Sequence, residues 1–211
     1  PYTTLFRSQS LAFEADAARI RSDAFDQESA GVAASLNRRL SRTLTLSAGA
    51  QARFSRETDA AGVRSLVTGV LPVGLIYDDR NDVLDPSEGV YLSARAEPGV
   101  VFGDESARFV RTEGAARAYH RIAERVVLAG RVRAGALFGV SAVEAPADLR
   151  FFAGGGGSVR GFEFQALSPT AVEVRALSPD EDGETLFGGR SVFETSLEAR
   201  WRRTDRLGFV A

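Results

Sequence analysis

The residues best suited to do chemistry lie in one glycine-rich stretch of the C-terminal half. It contains a run of four glycines and then a short motif around an arginine: Gly154, Gly155, Gly156, Gly157, Val159, Arg160, Gly161 and Phe162. A guanidinium group is a planar fork of donors that can hold a carboxylate through two hydrogen bonds. Glycines permit the tight or positive-φ backbone that such a loop needs. On the residues alone, Arg160 is either a docking arginine or an ordinary exposed loop arginine.

Other residues that could bind a ligand lack the partners such sites need. No Gly-Lys-Ser/Thr sequence follows the glycine run, which argues against a phosphate cradle. His120, the single histidine, has no cysteine or carboxylate cluster beside it, so neither a metal ligand nor a general base is indicated. Asp180-Glu181-Asp182 lacks the spacing of a calcium loop and is predicted to be a solvated loop tip. The sequence therefore predicts no catalytic, metal or cofactor site.

The elements that must position these residues are predicted to be long β-strands. Between residues 43 and 55 one parity is polar or small, and the other is apolar throughout: Leu44, Leu46, Ala48, Ala50, Ala52 and Phe54. Successive side chains of a strand point to opposite faces, so this segment has one apolar face. The same alternation marks residues 90–100, 126–138 and 193–202, and weaker versions mark 10–23, 30–39, 63–77 and 107–120. With one more strand beginning near Leu207, the pattern predicts about nine strands of roughly 10–15 residues.

Composition and strand length narrow the fold class. The 211 residues carry 26 Lys and Arg against 28 Asp and Glu, and this balance lacks the basic footprint of a nucleic-acid binder. No segment approaches the roughly 18 consecutive apolar residues of a membrane helix. The strands are about twice the usual 5–6 residues of a β-sandwich strand, and they carry Arg and Glu on one face. We therefore predict an all-β, transmembrane antiparallel β-barrel with a wet interior, an outer face against membrane lipids, and Trp201 in the interfacial aromatic girdle.

Two irregular segments interrupt the alternation. Residues 141–189 form a long connection without strand periodicity, and loops of that length are usually functional or disordered. A shorter connection is dense in turn-forming residues, among them Asp79, Arg80, Asp82, Pro86 and Gly89.

These irregular segments and their flanks resemble the BamA superfamily, and within it the TamA family, the outer-membrane subunits of the translocation and assembly module. The resemblance is carried by Arg150-Phe151-Phe152-Ala153 before the glycine run, by Gln165–Pro169 and Gly188–Ser191 after it, and by Glu194–Arg200 in the next strand. Asp79-Arg80-Asn81-Asp82 with Pro86 and Gly89 is similar to the family's periplasmic turn. The resemblance covers nearly all of the chain after residue 8.

The resemblance implies a partial barrel, with about nine of sixteen strands, roughly the fifth to the thirteenth, in residues 9–211. Residues 141–189 would be a long extracellular loop that folds into the lumen, where Arg160 pairs with Glu198 on the wall and Phe162 packs against it. Glu198 has the polar parity of its strand, which agrees with a lumen-facing position. Pro1–Ser8 resembles the translation of a common sequencing-adapter oligonucleotide, so we expect residues 1–8 to be an artefact of sequence assembly.

The function that the resemblance implies is non-enzymatic: a TamA-like factor in the outer membrane of a Gram-negative bacterium. It would help insert or secrete autotransporter-type clients by templating their strands at a lateral gate between the first and last barrel strands, together with a TamB-like inner-membrane partner. A BamA-like general insertase and a two-partner secretion pore remain as alternatives. A third alternative, of another class, is the barrel anchor of a patatin-like lipase, although no Gly-x-Ser-x-Gly sequence occurs in these residues.

Overall fold

The computed structural model describes residues 2–6, 8–103, 106–174, 185–203 and 207–210. The described strands form one antiparallel sheet in which neighbours along the chain are neighbours in space. The strands are β1 (Tyr2–Phe6), β2 (Gln9–Arg21), β3 (Asp26–Arg39), β4 (Leu44–Asp59), β5 (Gly62–Val70), β6 (Val73–Asp78), β7 (Gly89–Gly103), β8 (Ala107–Ala123), β9 (Val126–Phe138), β10 (Ser191–Arg202) and β11 (Gly208–Val210). This long-stranded meander confirms the predicted all-β antiparallel fold of a partial barrel.

The segment predicted as a single strand over residues 63–77 is divided into β5 and β6. Both β5 and β6 pair with β4 and β7. The register on β4 is continuous across the break, because Gln51 lies opposite Val70 and Ala48 lies opposite Val73. The interruption falls at Pro72, which has no N–H to donate to the ladder. If β5 and β6 are counted together, β2 to β11 make up nine strands, and β1 adds a tenth by pairing with β2.

The two faces of the sheet differ in chemistry. One face carries charged side chains and is covered by the connection between β9 and β10; its members include Arg53, Glu57, Glu97, Arg111, Arg133, Glu194 and Glu198. The opposite face carries apolar side chains that are 36–76% exposed, including Phe13, Val32, Phe54, Val67, Leu128, Val132 and Leu197. A polar, covered inner face and an apolar, uncovered outer face are the arrangement of a barrel wall in a membrane.

The core lies between the inner face and the covering connection. Phe109 and Leu137 of the wall, with Val140 and Phe151 of the connection, form its largest cluster. A short helical turn, Ala147–Leu149, lies in the connection. Of the helices in the described part of the chain, none is long and apolar enough to cross a membrane.

Candidate functional site

The connection between β9 and β10, residues 139–190, is attached to the inner wall at two levels, and we call it the inner loop. Its first level is a buried ionic cluster of two carboxylates and two arginines, which we call the base cluster. Arg150 Nη2 lies 2.6 Å from Asp59 Oδ2, and both side chains have no exposed surface. Arg64 bridges the two carboxylates, at 3.1 Å from Asp59 and 2.7 Å from Glu57. The four charges therefore balance in a site closed to solvent.

The base cluster is built on the hairpin between β4 and β5. Asp59 ends β4 and accepts a hydrogen bond from the N–H of Ala61 at 2.8 Å, so one carboxylate both holds the turn and binds Arg150. The turn closes at Gly62, whose φ of +111° lies in the region that favours glycine.

Arg150 fills its remaining donor positions within the inner loop. It donates to the carbonyl oxygen of Ala145 at 2.9 Å and to that of Phe187 at 3.3 Å, and its guanidinium lies 3.7 Å from the Phe187 ring centroid. Burial lowers the pKa of Arg150, and the charge of Asp59 opposes that shift. Arg150 therefore links two segments of the inner loop, around Ala145 and around Phe187, to Asp59 of the wall.

Between the base cluster and the tip motif, residues 159–162, the inner loop packs against a gap in the wall at Gly135, which we call the slot. Phe151 is 2% exposed and forms a two-hydrogen-bond bridge with Gly189, at 2.9 Å in each direction. A Cβ atom on Gly135 of β9 would lie 2.4 Å from the Phe151 ring, so the ring occupies space that a side chain would otherwise fill. Arg111 covers the same ring, with its guanidinium carbon 4.4 Å from the centroid. The second level of attachment lies beyond this slot.

At the tip, the structure brings Arg160 and Glu198 together. Arg160 Nη1 lies 3.0 Å from Glu198 Oε1, and Arg200 lies 3.1 Å from the other oxygen of the same carboxylate. The Arg160 side chain is 71% exposed, whereas that of Glu198 is 19% exposed. Gly161 has a φ of +88° directly after Arg160. The contact exists, but solvent reaches it.

Phe162 does not pack as the sequence analysis expected. Its side chain is 52% exposed, and Phe164 two residues later is 71% exposed. Val159 is partly buried. The tip motif is therefore held by Arg160 and by its backbone, whereas Phe162 remains exposed on the polar side of the sheet.

The glycine run forms the turn that carries the tip. Gly154 and Gly155 have φ values of +111° and +94°, and the Gly154 N–H donates to Ser158 Oγ at 3.0 Å. A Cβ atom on Gly156 or Gly157 would meet open space, so the requirement for glycine is weaker at these two positions. Arg131 of β9 donates to the carbonyl oxygens of Gly157 at 2.9 Å and Ser158 at 3.0 Å.

Glu194, the carboxylate that holds this turn, is not among the predicted site residues. Glu194 is 5% exposed, accepts the Ser158 hydroxyl and lies 3.3 Å from Arg131 and 3.5 Å from Arg133. The alternation of β10 already placed Glu194 on the face of Glu198, and Ser158 directly precedes the tip motif. That shared parity was the available signal, but parity does not tell which carboxylate of a strand lies under a loop.

Glu194 also ends a row of alternating charges along the inner wall. Arg133 lies 2.8 Å from Glu113, and Arg111 lies 2.9 Å from Glu113 and 3.0 Å from Glu97. The row therefore crosses β7, β8, β9 and β10 beneath the inner loop, and it connects the tip turn to the strands that form the slot.

The predicted turn motif lies at the other end of the strands, in the connection between β6 and β7 and at the first residue of β7; its members are Asp79, Arg80, Asp82, Pro86 and Gly89. Arg80 makes a two-pronged contact with Asp78, at 2.8 Å for each nitrogen. Gly89 has a φ of +101°, and a Cβ there would lie 2.6 Å from the Asp79 carbonyl oxygen. Asp82 accepts hydrogen bonds from the N–H groups of the two residues before Pro86. These residues build a compact turn.

The remaining candidates carry no further site. In the parts of the chain that the structure covers, no three His, Asp or Glu residues are grouped so that they could hold a metal ion. Asp180-Glu181-Asp182 lies outside the described residues. Trp201 lies on the outer face near the end of β10, with its ring 5.6 Å from that of Phe209.

Comparison with known proteins places the fold in context. The profile of the Omp85 superfamily domain matches residues 2–210. The outer membrane protein assembly factor BamA of Nitratidesulfovibrio vulgaris is 28% identical over 146 residues, which are 68% of this chain and 17% of that protein. A crystal structure of BamA from Haemophilus ducreyi lacking POTRA domains 1–3 superposes with a TM-score of 0.70 at 16% identity, over 94% of this chain and 43% of that one.

These relatives refine the resemblance noted from the sequence. The curated relative carries the name BamA, so it supports the BamA-like alternative better than the TamA-like main prediction. The solved structure shares the fold, and the chain spans less than half of its length.

Proposed function

Because the chain belongs to the Omp85 superfamily and is a partial outer-membrane β-barrel, we propose that it is the barrel part of a BamA-like, non-enzymatic assembly factor. Its clients are unfolded outer-membrane β-barrel proteins, and it uses no cofactor. The observation that carries the proposal is the inner loop, which folds onto the polar wall and presents Arg160 to Glu198. In this proposal the attached loop helps to fix the shape of the barrel wall, in addition to connecting β9 to β10.

In this proposal the inner loop is a cross-link between distant strands of the wall, and we call it the internal strut. Its base cluster holds the β4–β5 hairpin, and its tip holds β9 and β10, so one loop joins strands that lie on well-separated parts of the wall. A strut of this kind limits how far the wall can open or close. Loss of the Arg160–Glu198 contact would release residues 159–162, while Arg131 and Glu194 still hold the preceding turn and the base remains attached.

Client assembly in this proposal proceeds by strand templating. An exposed strand edge offers unpaired N–H and C=O groups, and an incoming client strand pairs with them by β-augmentation. The chain described here contributes the wall and the strut, which set the width of the opening in the complete barrel.

The experiment is reconstitution of the complete protein in lipid vesicles with a urea-unfolded client barrel, with client folding followed by heat-dependent gel mobility. We expect Arg160→Ala to lower the folding rate at least threefold, whereas Arg42→Ala, in the exposed turn before β4, leaves it unchanged. Equal rates for the wild type and both variants would refute a role for the tip in assembly.

A TamA-like function is the second candidate, and the Arg150–Ala153 run with its following glycines supports it through the family resemblance. In that case the clients are autotransporter-type proteins, and a TamB-like inner-membrane protein is the partner. The same vesicles separate the two functions. A BamA-like factor folds a simple barrel client without that partner, and a TamA-like factor acts on an autotransporter client and responds to the partner. The secretion-pore and lipase-anchor alternatives predict no client folding at all.

A further inference from the structure

The outer face of the sheet contains an apolar trough that the proposed assembly function does not use. The trough has a volume of about 810 Å³. Its floor consists of Ala34, Ala50, Ala52 and Gly69, and Phe13 and Leu71 stand at its edges. The volume is within the range of small-molecule sites in proteins.

The register of the strands explains the hollow. Val32, Ala52, Gly69 and Val100 lie opposite one another in one row across β3, β4, β5 and β7. The adjacent row places Ala34 and Ala50 between Phe13 and Leu71. Small residues therefore occupy the centre of both rows and larger residues the ends, which produces a depression in this part of the outer face.

An arginine lies at one end of the same trough. Arg108 follows Val100 in its row, points to the outer face and is exposed. Within residues 8–103, 106–174, 185–203 and 207–210, no carboxylate lies within ion-pair distance of Arg108, whereas Arg19 on the same face is paired with Glu28 at 3.0 Å. The guanidinium of Arg108 is therefore available to an anion from outside the described chain.

Arg108 lies at the extracellular level of the wall. It is the second residue of β8, so it belongs to the strand ends from which the inner loop also emerges. Long connections of outer-membrane barrels face the cell exterior, and short turns face the periplasm. An anion bound by Arg108 would thus belong to the headgroup region of the outer leaflet, directly above the acyl chains of that leaflet.

We propose that this trough is a binding site for the lipid A part of lipopolysaccharide, with acyl chains in the trough and a phosphate on Arg108. The floor of the trough lies on β3, β4 and β5, and three neighbouring strands at about 4.8 Å spacing span roughly 10 Å. That span accommodates acyl chains lying side by side, and the position of Arg108 at the level of the outer leaflet favours lipid A, whose phosphates lie there, over a phospholipid of the inner leaflet. A guanidinium binds phosphate through a two-pronged contact that fixes the headgroup in place.

The test is native mass spectrometry of the complete, delipidated protein in detergent, titrated separately with lipid A, phosphatidylglycerol and phosphatidylethanolamine. We expect lipid A to bind most tightly, and Arg108→Gln to weaken its binding about tenfold, which is the scale of one charged hydrogen-bonding contact. Ala52→Leu, which fills the floor, is expected to weaken binding by a similar factor.

Two matched controls accompany these variants. Arg56→Gln removes another exposed, outward arginine near the same strand ends that does not line the trough, and Ala118→Leu enlarges an exposed outer-face residue elsewhere. Both are expected to bind lipid A as the wild type does, and heat-dependent gel mobility verifies that every variant is folded. Equal lipid A affinity in the wild type and Arg108→Gln would overturn the proposal, as would phosphatidylglycerol binding as tightly as lipid A.

Discussion

The two ends of the inner loop use the same pair of chemical groups in opposite surroundings. At the base, Arg150 meets Asp59 with neither side chain exposed, and at the tip Arg160 meets Glu198 with an arginine that is 71% exposed. Removing one partner of a buried pair leaves an uncompensated charge, whereas an exposed pair contributes little to stability because water screens it. The base therefore holds the loop in place, whereas the Arg160–Glu198 pair at the tip can be broken and remade at small free-energy cost.

The largest effect is expected at the base. Asp59→Ala leaves the guanidinium of Arg150 buried without its carboxylate and should lower the free energy of unfolding by about 3–5 kcal/mol. Denaturant unfolding of the complete protein in detergent measures this loss. The double variant Asp59→Leu with Arg150→Met removes both charges, so it should recover much of the loss. If the single variant cost less than about 1 kcal/mol, the base cluster would not anchor the loop.

Glu194 is expected to rank second, because three donors converge on its carboxylate. Glu194→Ala leaves Ser158, Arg131 and Arg133 without their common acceptor, for an expected loss of about 3 kcal/mol. Hydrogen exchange at the amides of Gly154 and Ser158 should accelerate, while exchange at Phe151 remains slow. Acceleration along the whole inner loop would show instead that tip and base unfold as one unit.

The slot beneath Phe151 offers a matched pair of glycines on β9. A methyl group at Gly135 would lie 2.4 Å from the Phe151 ring, whereas at Gly130 the nearest side-chain atom is 4.0 Å away. Gly135→Ala should therefore cost about 2 kcal/mol through overpacking, and Gly130→Ala should cost little. Thermal unfolding followed by gel mobility compares the two, and equal transition temperatures would argue against a tight slot.

The smallest effect on stability is expected at the tip. Arg160→Ala should change the free energy of unfolding by less than about 1 kcal/mol, because most of its side chain is in solvent. The same variant is expected to slow client folding, so stability and activity separate at this residue. A double-mutant cycle with Glu198→Gln isolates the pair, and a coupling free energy above about 2 kcal/mol would place the tip in the same class as the base.

The long strands could be predicted because their alternation is strong. The predicted segment 126–138 is β9 as observed, and 193–202 falls within β10, Ser191–Arg202. The prediction of one continuous strand over residues 63–77 was wrong, because Pro72 has no N–H to donate to the ladder and the strand is interrupted there. The tip pair was proposed from a resemblance together with parity, and the structure places its two members 3.0 Å apart. Its role in assembly stays a prediction.

By itself, the sequence determined which residues lie on the same face of each strand, because side-chain direction in a strand follows the backbone with a period of two. It also determined that a long glycine-containing connection interrupts the strands. Only the tertiary structure decided which residues of that connection meet which residues of the wall. Arg150 and Asp59 are 91 positions apart, and Ser158 and Glu194 are 36 positions apart. Such contacts depend on where the loop crosses the sheet, and that path is set by packing against the slot at Gly135 rather than by any local pattern.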